Sequence, residues 1–180
     1  MKKGGFTLLE TIVVVAIIGL TLPVIFAIIF TLMRQQVKIY QLSQTKREGD
    51  YLINIMENTI RNRAVANYSS EVLSDANVVC KDESSAFADP YFLDEDNKFF
   101  SYKLIGTKVS SDSANPADLT SSKTVVSNFS ISCTRNSIFS PPSVFLSFDI
   151  CYDTISGNCI TDRPEEVASL HYQTKIKLRK

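Results

Sequence analysis

Tryptophan is absent and histidine occurs once, at His171, in 180 residues. That leaves little material for a catalytic site, where imidazole is the commonest acid or base. Net charge is absent too, with 19 Lys and Arg against 19 Asp and Glu. A dedicated nucleic-acid binder would carry a basic footprint, so no nucleic-acid partner is expected. No pair among the four cysteines has the CxxC spacing of a zinc site. The acidic run Asp94-Glu95-Asp96-Asn97 lacks the glycine and the distant glutamate of an EF-hand loop, and reads as a solvated turn. No metal or cofactor is expected. An ordinary secretory signal is missing as well. The N-terminal apolar stretch outruns the roughly 7–15 residues of a signal core, and no small-x-small cleavage site follows it. No internal repeat is visible.

What stands at the N-terminus instead is Gly4-Gly5-Phe6-Thr7-Leu8-Leu9-Glu10-Thr11, preceded by two lysines. From Thr11 to Met33 about 23 residues pass without a charge, and a helix needs roughly 20 to cross a bilayer. Many are β-branched and favour helix only weakly in water. In lipid the backbone must satisfy itself, which nearly forces a helix. Pro23 removes one backbone donor and is expected to kink or loosen that helix. Glu10 is the costly residue. A charge at the bilayer centre costs about 2.5–3.5 kcal/mol, and less near the edge. Its retention is a functional hypothesis that demands a partner.

No breaker follows Arg34, and Gln35, Gln36, Lys38, Gln41, Gln44 and Lys46 are polar helix formers. Leu52, Ile53, Met56, Ile60 and Ala64 then recur at helical spacing as one apolar face. The pattern predicts one continuous helix from Phe6 to about Arg63. Gly49 is its weak point, at about 1 kcal/mol relative to alanine. Asn67-Tyr68-Ser69-Ser70 reads as the helix exit.

Beyond it, short apolar runs alternate with Ser, Asp, Asn and Pro clusters, the pattern of strands and turns. Asn77–Cys80 is a short strand candidate. Tyr91–Leu93 and Lys98–Ile105 flank the acidic turn as a hairpin. Thr107–Ser122 reads as a surface loop. Asn128–Cys133, Val144–Tyr152 and Leu170–Leu178 show period-two alternation, so each packs one face and wets the other. The second half of the helix is the natural cover for such an antiparallel sheet. The expected fold class is α+β, a long N-terminal helix packed by its second half on a small antiparallel sheet.

All four cysteines follow the helix, which suggests an oxidising compartment for that part. Cys151 and Cys159 flank a loop with the turn signal Gly157-Asn158, which favours a local bridge. Cys80 then pairs with Cys133, one of three possible connectivities. Lys175, Lys177, Arg179 and Lys180 read as the wet face of the last strand. Asn67-Tyr68-Ser69 and Asn128-Phe129-Ser130 match a glycosylation sequon, a pattern common by chance.

The basic leader ending in Gly5, then Phe6, the apolar run and Glu10 resembles the N-terminus of type IV pilins and type II secretion pseudopilins. The motif covers roughly the first 35 residues. The resemblance implies cleavage between Gly5 and Phe6 by a prepilin peptidase and N-methylation of Phe6. It implies a role for Glu10 in assembly. It also implies the fold of that superfamily and a place in the bacterial cytoplasmic membrane, with the N-terminus inside and the head outside. Charge alone leaves orientation open, because Lys2 and Lys3 are opposed by Arg34 and Lys38. The implied partners are other pilin or pseudopilin subunits, the prepilin peptidase, an inner-membrane assembly platform and the lipid bilayer. The glutamine-rich stretch after Arg34 and the run Pro141-Pro142-Ser143-Val144-Phe145-Leu146 are similar to those of minor pilins and J-type pseudopilins. Cleavage would leave 17 basic against 19 acidic side chains.

The expected organisation is a leader at 1–5, a transmembrane and filament-core half-helix at 6–33, an amphipathic half-helix at 34–66 and a β-rich head at 67–180. The expected function is a non-enzymatic filament subunit. The alternative is a membrane-anchored binding module that never polymerises. A tethered enzyme would need a polar pocket with convergent carboxylates in the head.

Overall fold

One helix, α1 (Leu8–Arg63), runs for 56 residues. The computed structural model describes residues 7–82, 85–113, 116–152 and 169–178. By packing, the chain forms two compact units, Met1–Tyr40 and Gln41–Lys180.

In the first unit α1 is apolar around its circumference. Its large apolar side chains, from Leu8 to Val37, are all exposed. The helix continues through Pro23. The threonines within the apolar stretch turn their hydroxyls back onto it. Thr11 Oγ1 donates to Leu8 O at 2.8 Å and Thr31 Oγ1 to Ala27 O at 2.9 Å. These hydroxyls thus find acceptors on the helix's own backbone, as a span in lipid requires. Arg34 closes the stretch with its guanidinium over the Phe30 ring, 4.9 Å from the centroid.

In the second unit nine strands follow α1 among the described residues. They are β1 (Ala66–Tyr68), β2 (Ala86–Ala88), β3 (Tyr91–Leu93), β4 (Phe99–Ile105) and β5 (Lys108–Asp112), then β6 (Ala117–Asp118), β7 (Thr124–Thr134), β8 (Ser143–Tyr152) and β9 (Ser169–Lys177). They form two antiparallel sheets, ordered β1-β3-β4-β5-β6 and β2-β7-β8-β9. The α+β class with a helix-covered head is therefore present, built on two small sheets. The acidic turn joins β3 to β4 as expected, with Asn97 in the left-handed region at φ 59°. Asparagine tolerates that conformation better than most residues.

The alternation in β8 is the clearest. Val144, Leu146, Phe148 and Ile150 are fully buried while Phe145 is exposed. β7 changes parity halfway. Val126 faces the core, and so do Phe129, Ile131 and Cys133. An even position and odd positions share one face only because the register shifts between Ser127 and Ser130. Asn128, at φ 51°, makes that bulge.

Three expectations are corrected. Thr107–Ser122 is not a plain loop, since β5 and β6 lie in it and Val109 is fully buried. Asn67–Tyr68 is not the helix exit. Val65 N already donates to Leu93 O, and β1 pairs with β3. Asn77–Cys80 is not a strand. Asp75–Asn77 is a 3-10 turn, and only Val78 bridges to Tyr68.

The second half of α1 covers both sheets. Thr45, Gly49, Leu52, Met56 and Ile60 are its buried residues. Leu52, Met56 and Ile60 join Phe92 and Phe100 of one sheet and Ile131, Leu146 and Phe148 of the other in a single core cluster. Burying each such side chain contributes about 1.5–3 kcal/mol. Polar contacts fix the helix in place. The Tyr172 hydroxyl lies 2.9 Å from Asp50 Oδ1 and 3.2 Å from Lys46 O. Its ring stacks on Phe148 with centroids 5.3 Å apart. Burial and the Asp50 carboxylate push the hydroxyl above its ordinary pKa, so it stays a donor.

Gly49 is what lets Tyr172 come so close. A Cβ there would stand 2.6 Å from Tyr172 Cζ, well inside contact distance. In an open helix Gly→Ala gains about 0.5–1 kcal/mol. Here Gly49→Ala is expected to lose about 1–3 kcal/mol by overpacking. In a Tyr172→Ala background the same change should become stabilising. Thermal unfolding of the detergent-solubilised chain checks the two signs.

Cys80 and Cys133 form a disulfide with Cα atoms 6.1 Å apart, closing a loop across 53 residues. Cys151 is disulfide-bonded too. Its expected partner Cys159 lies outside the described residues. Replacing Cys80 and Cys133 together by serine is expected to cost about 2–4 kcal/mol, by releasing the unfolded chain. Unfolding of the oxidised wild type beside the variant measures it.

Candidate functional site

Thr7 is the N-cap of α1. The Glu10 backbone N–H reaches Thr7 Oγ1 at 3.4 Å and Thr7 O at 3.1 Å. Thr7-Leu8-Leu9-Glu10 is thus the S/T-x-x-E pattern of a capping box, with a carboxylate at the positive end of the helix dipole. This signal was legible in the sequence and was missed. Glu10 has no side-chain hydrogen bond or ion pair among the described residues. Gly5 and Phe6 lie outside them. Farther along the first unit, Pro23, Ala27, Thr31 and Gln35 line a shallow groove with Val24, Ile28 and Leu32. Small residues at such spacing allow close approach of another helix in a membrane.

Several charged groups in the head hold its parts together. Glu48 of α1 accepts from Ser121 N at 3.2 Å, Ser121 Oγ at 2.5 Å and Thr124 Oγ1 at 2.6 Å. Burial works against its charge, but these hydrogen bonds outweigh it and hold the carboxyl below its ordinary pKa. On the outer face of the second sheet, Asp149 accepts from Asn128 Nδ2 at 2.6 Å and pairs with His171 Nδ1 at 2.6 Å. The Asn128 hydrogen bond is the main reason its carboxyl is held low. His171 is exposed, on the wetted face where the alternation places it, beside the exposed Lys175 and Lys177. Arg179 and Lys180 lie outside the described residues. Asn67 is buried, at 2% exposure, so its sequon is closed to modification in the folded head.

Depressed carboxylates stabilise the fold above their unfolded pKa, and that stability is lost as pH falls through the folded value. The head should therefore weaken below about pH 4.5, the ordinary glutamate value. Glu48→Gln should flatten part of that acid-side loss. At neutral pH it should cost about 1.5–3 kcal/mol, the range for hydrogen bonds to a charged group. Unfolding midpoints from pH 3 to 7, for variant beside wild type, read both effects.

A cleft of about 560 Å³ opens between the end of α1 and the first sheet. Thr59 and Arg63 come from the helix, Asp94 and Lys98 from the β3–β4 turn, and Phe99, Phe100 and Tyr102 from β4. Glu71, Ser111, Asp112 and Ser113 complete it. Burial raises the Tyr102 hydroxyl above its ordinary pKa, although Thr59 hydrogen-bonds it and Arg63 is near. Asp112 is bridged to Lys103 at 2.7 Å. Lys103 also reaches Tyr91 Oη at 3.0 Å, and these two contacts hold its ammonium above the ordinary pKa. The cleft therefore brings together mixed charge over an aromatic floor. Among the described residues, no three His, Cys, Asp or Glu side chains gather as metal ligands would.

A second feature lies at the β7–β8 connection. Arg135 Nε donates to Ser137 O at 3.2 Å and Ser140 O at 3.0 Å. Its other nitrogens donate to Lys81 O at 2.7 Å and Ile138 O at 2.5 Å. The loop so tied presents Ile138 and Phe139 to solvent, 61% and 89% exposed. Neither cleft nor tip has a sequence signal, because each joins residues that are distant in sequence or ordinary in type. Comparison with protein-family models, curated proteins and solved structures finds no match for this chain.

Proposed function

We propose that this chain is a structural subunit, a minor pilin or pseudopilin, of a type IV pilus or a type II secretion pseudopilus, with no chemistry of its own. The observation that carries the reading is one helix long and apolar enough to cross a membrane, whose apolar stretch is uncovered among the described residues and which bears a carboxylate in its first turn. An apolar surface of that extent needs lipid or other helices around it. Prepilin peptidase would cut between Gly5 and Phe6, and the new amine would be methylated. The neighbouring Glu10 of another subunit would then meet the Phe6 amine, since five helical residues span only about 6 Å. In low dielectric the pair attracts strongly, while either charge alone is penalised. The head would sit outside the bacterial cytoplasmic membrane, a place that suits its disulfide.

The mixed-charge cleft favours a second reading, a membrane-anchored binding module that does not polymerise. Glu10 separates the two. Both Glu10→Ala and Glu10→Gln are expected to be inserted and to form the Cys80–Cys133 bridge. Both should be depleted from sheared filaments by about tenfold or more, the effect of losing some 1.4 kcal/mol of pairing. Glutamine can still serve a capping box. Normal incorporation of Glu10→Gln would therefore reduce the residue to a cap. Normal incorporation of both, or no filament fraction at all, would favour the anchored module.

A further inference from the structure

The Ile138–Phe139 tip and the cleft beside Tyr102 are a knob and a hole on one chain, and among the described residues nothing covers the one or fills the other. Scattered exposed apolar residues need no explanation. This pair is different, because the loop is built to hold it out. One guanidinium is spent on four backbone carbonyls of the loop and its neighbour Lys81. The Cys80–Cys133 bridge lies beside both Lys81 and Arg135. A loop so fixed loses little freedom on docking, which is what makes a preorganised aromatic an effective anchor.

Charge favours one occupant for the hole. Around the tip, Lys81 and the exposed Lys175 and Lys177 have no ion pair among the described residues. Phe145, partly exposed beside Lys175, extends the apolar surface. The cleft carries Glu71 and Asp94, with Glu95 and Asp96 next along the same turn. Its cations, Arg63 and Lys98, are donors suited to loop carbonyls. Its floor is aromatic, and its volume lies in the range of about 300–1,000 Å³ that takes up a small ligand or a pair of side chains. The tip lies on the β7–β8 connection of the second sheet, whereas the cleft lies on the first sheet.

We propose that the Ile138–Phe139 tip of one copy seats in the cleft of a second copy of this chain. The contact is heterologous, so it repeats from copy to copy without closing on itself unless the rotation makes a ring. It deepens the filament reading and rests on it. Subunits of this kind would sit in pairs or runs with their heads linked, rather than singly.

The test is a photo-crosslinking amino acid in place of Phe139, in the full chain in its own membrane. Crosslinks between two copies, mapped to Thr59–Arg63 or Asp94–Tyr102, are expected. Asp94→Lys, at a surface turn, should lower their yield about tenfold or more, with the Cys80–Cys133 bridge intact as the sign of a folded head. Crosslinks to lipid, to a different protein or to another surface of the copy would overturn the proposal. So would a yield that Asp94→Lys leaves unchanged. The absence of copy-to-copy crosslinks in filaments that contain the chain would overturn the contact and leave the filament reading standing. Mapped pairs in membranes that yield no filaments would uphold the contact and remove that reading.

Discussion

Thr45, Gly49, Leu52, Met56 and Ile60 are buried at steps of three or four residues, and two sheets depend on that one stripe for a common core. Neither sheet is large enough to close a core alone. The first has strands of two to seven residues, and the second packs through β7, β8 and β9. The helix supplies the shared face. Around it, polar contacts set position rather than bulk stability. Glu48 ties the β6–β7 connection, and Tyr172 rests on Gly49. Removing the helix would expose Phe92, Phe148 and Ile131 together, so helix and head form one folding problem.

The same helix has the opposite character in the first unit. There it is apolar all round and uncovered among the described residues. Its hydroxyls are turned inward to carbonyls of the preceding turn, which suits a solvent that offers no hydrogen bonds. Glu10 breaks that consistency. Its place three residues after Thr7 gives a local reason for a carboxylate there, worth roughly 0.3–1 kcal/mol at a helix N-terminus. Burial in lipid costs more than that near the bilayer centre. Capping gives the acid one local role, and the proposed pairing with the Phe6 amine of a neighbouring subunit would give it a second.

Much of this architecture was legible in the sequence where periodicity was strong. The helix, the β3–β4 turn and the alternation of β8 and β9 follow directly from residue spacing. β5 was not legible, because Lys108-Val109-Ser110-Ser111-Asp112 has a single apolar side chain to mark its inner face. β1 was hidden in what looked like a helix exit. The parity change in β7 depends on Asn128 entering the left-handed region, which alternation alone does not reveal. Gly49 reads as a flaw in a helix until Tyr172, far along the chain, is seen to lie on it. The cleft and the tip were invisible for a related reason. Arg63, Asp94 and Tyr102 meet only after the sheet has formed, and Arg135 looks like any surface arginine.

The mature N-terminus is where the filament subunit and the plain membrane anchor differ most. Intact-mass and peptide analysis of the chain, taken from a native envelope that contains prepilin peptidase, reads it directly. The expected result is a chain that has lost Met1–Gly5 and begins at a methylated Phe6. A chain that keeps Met1 or its leader in the presence of the peptidase would contradict the filament-subunit reading.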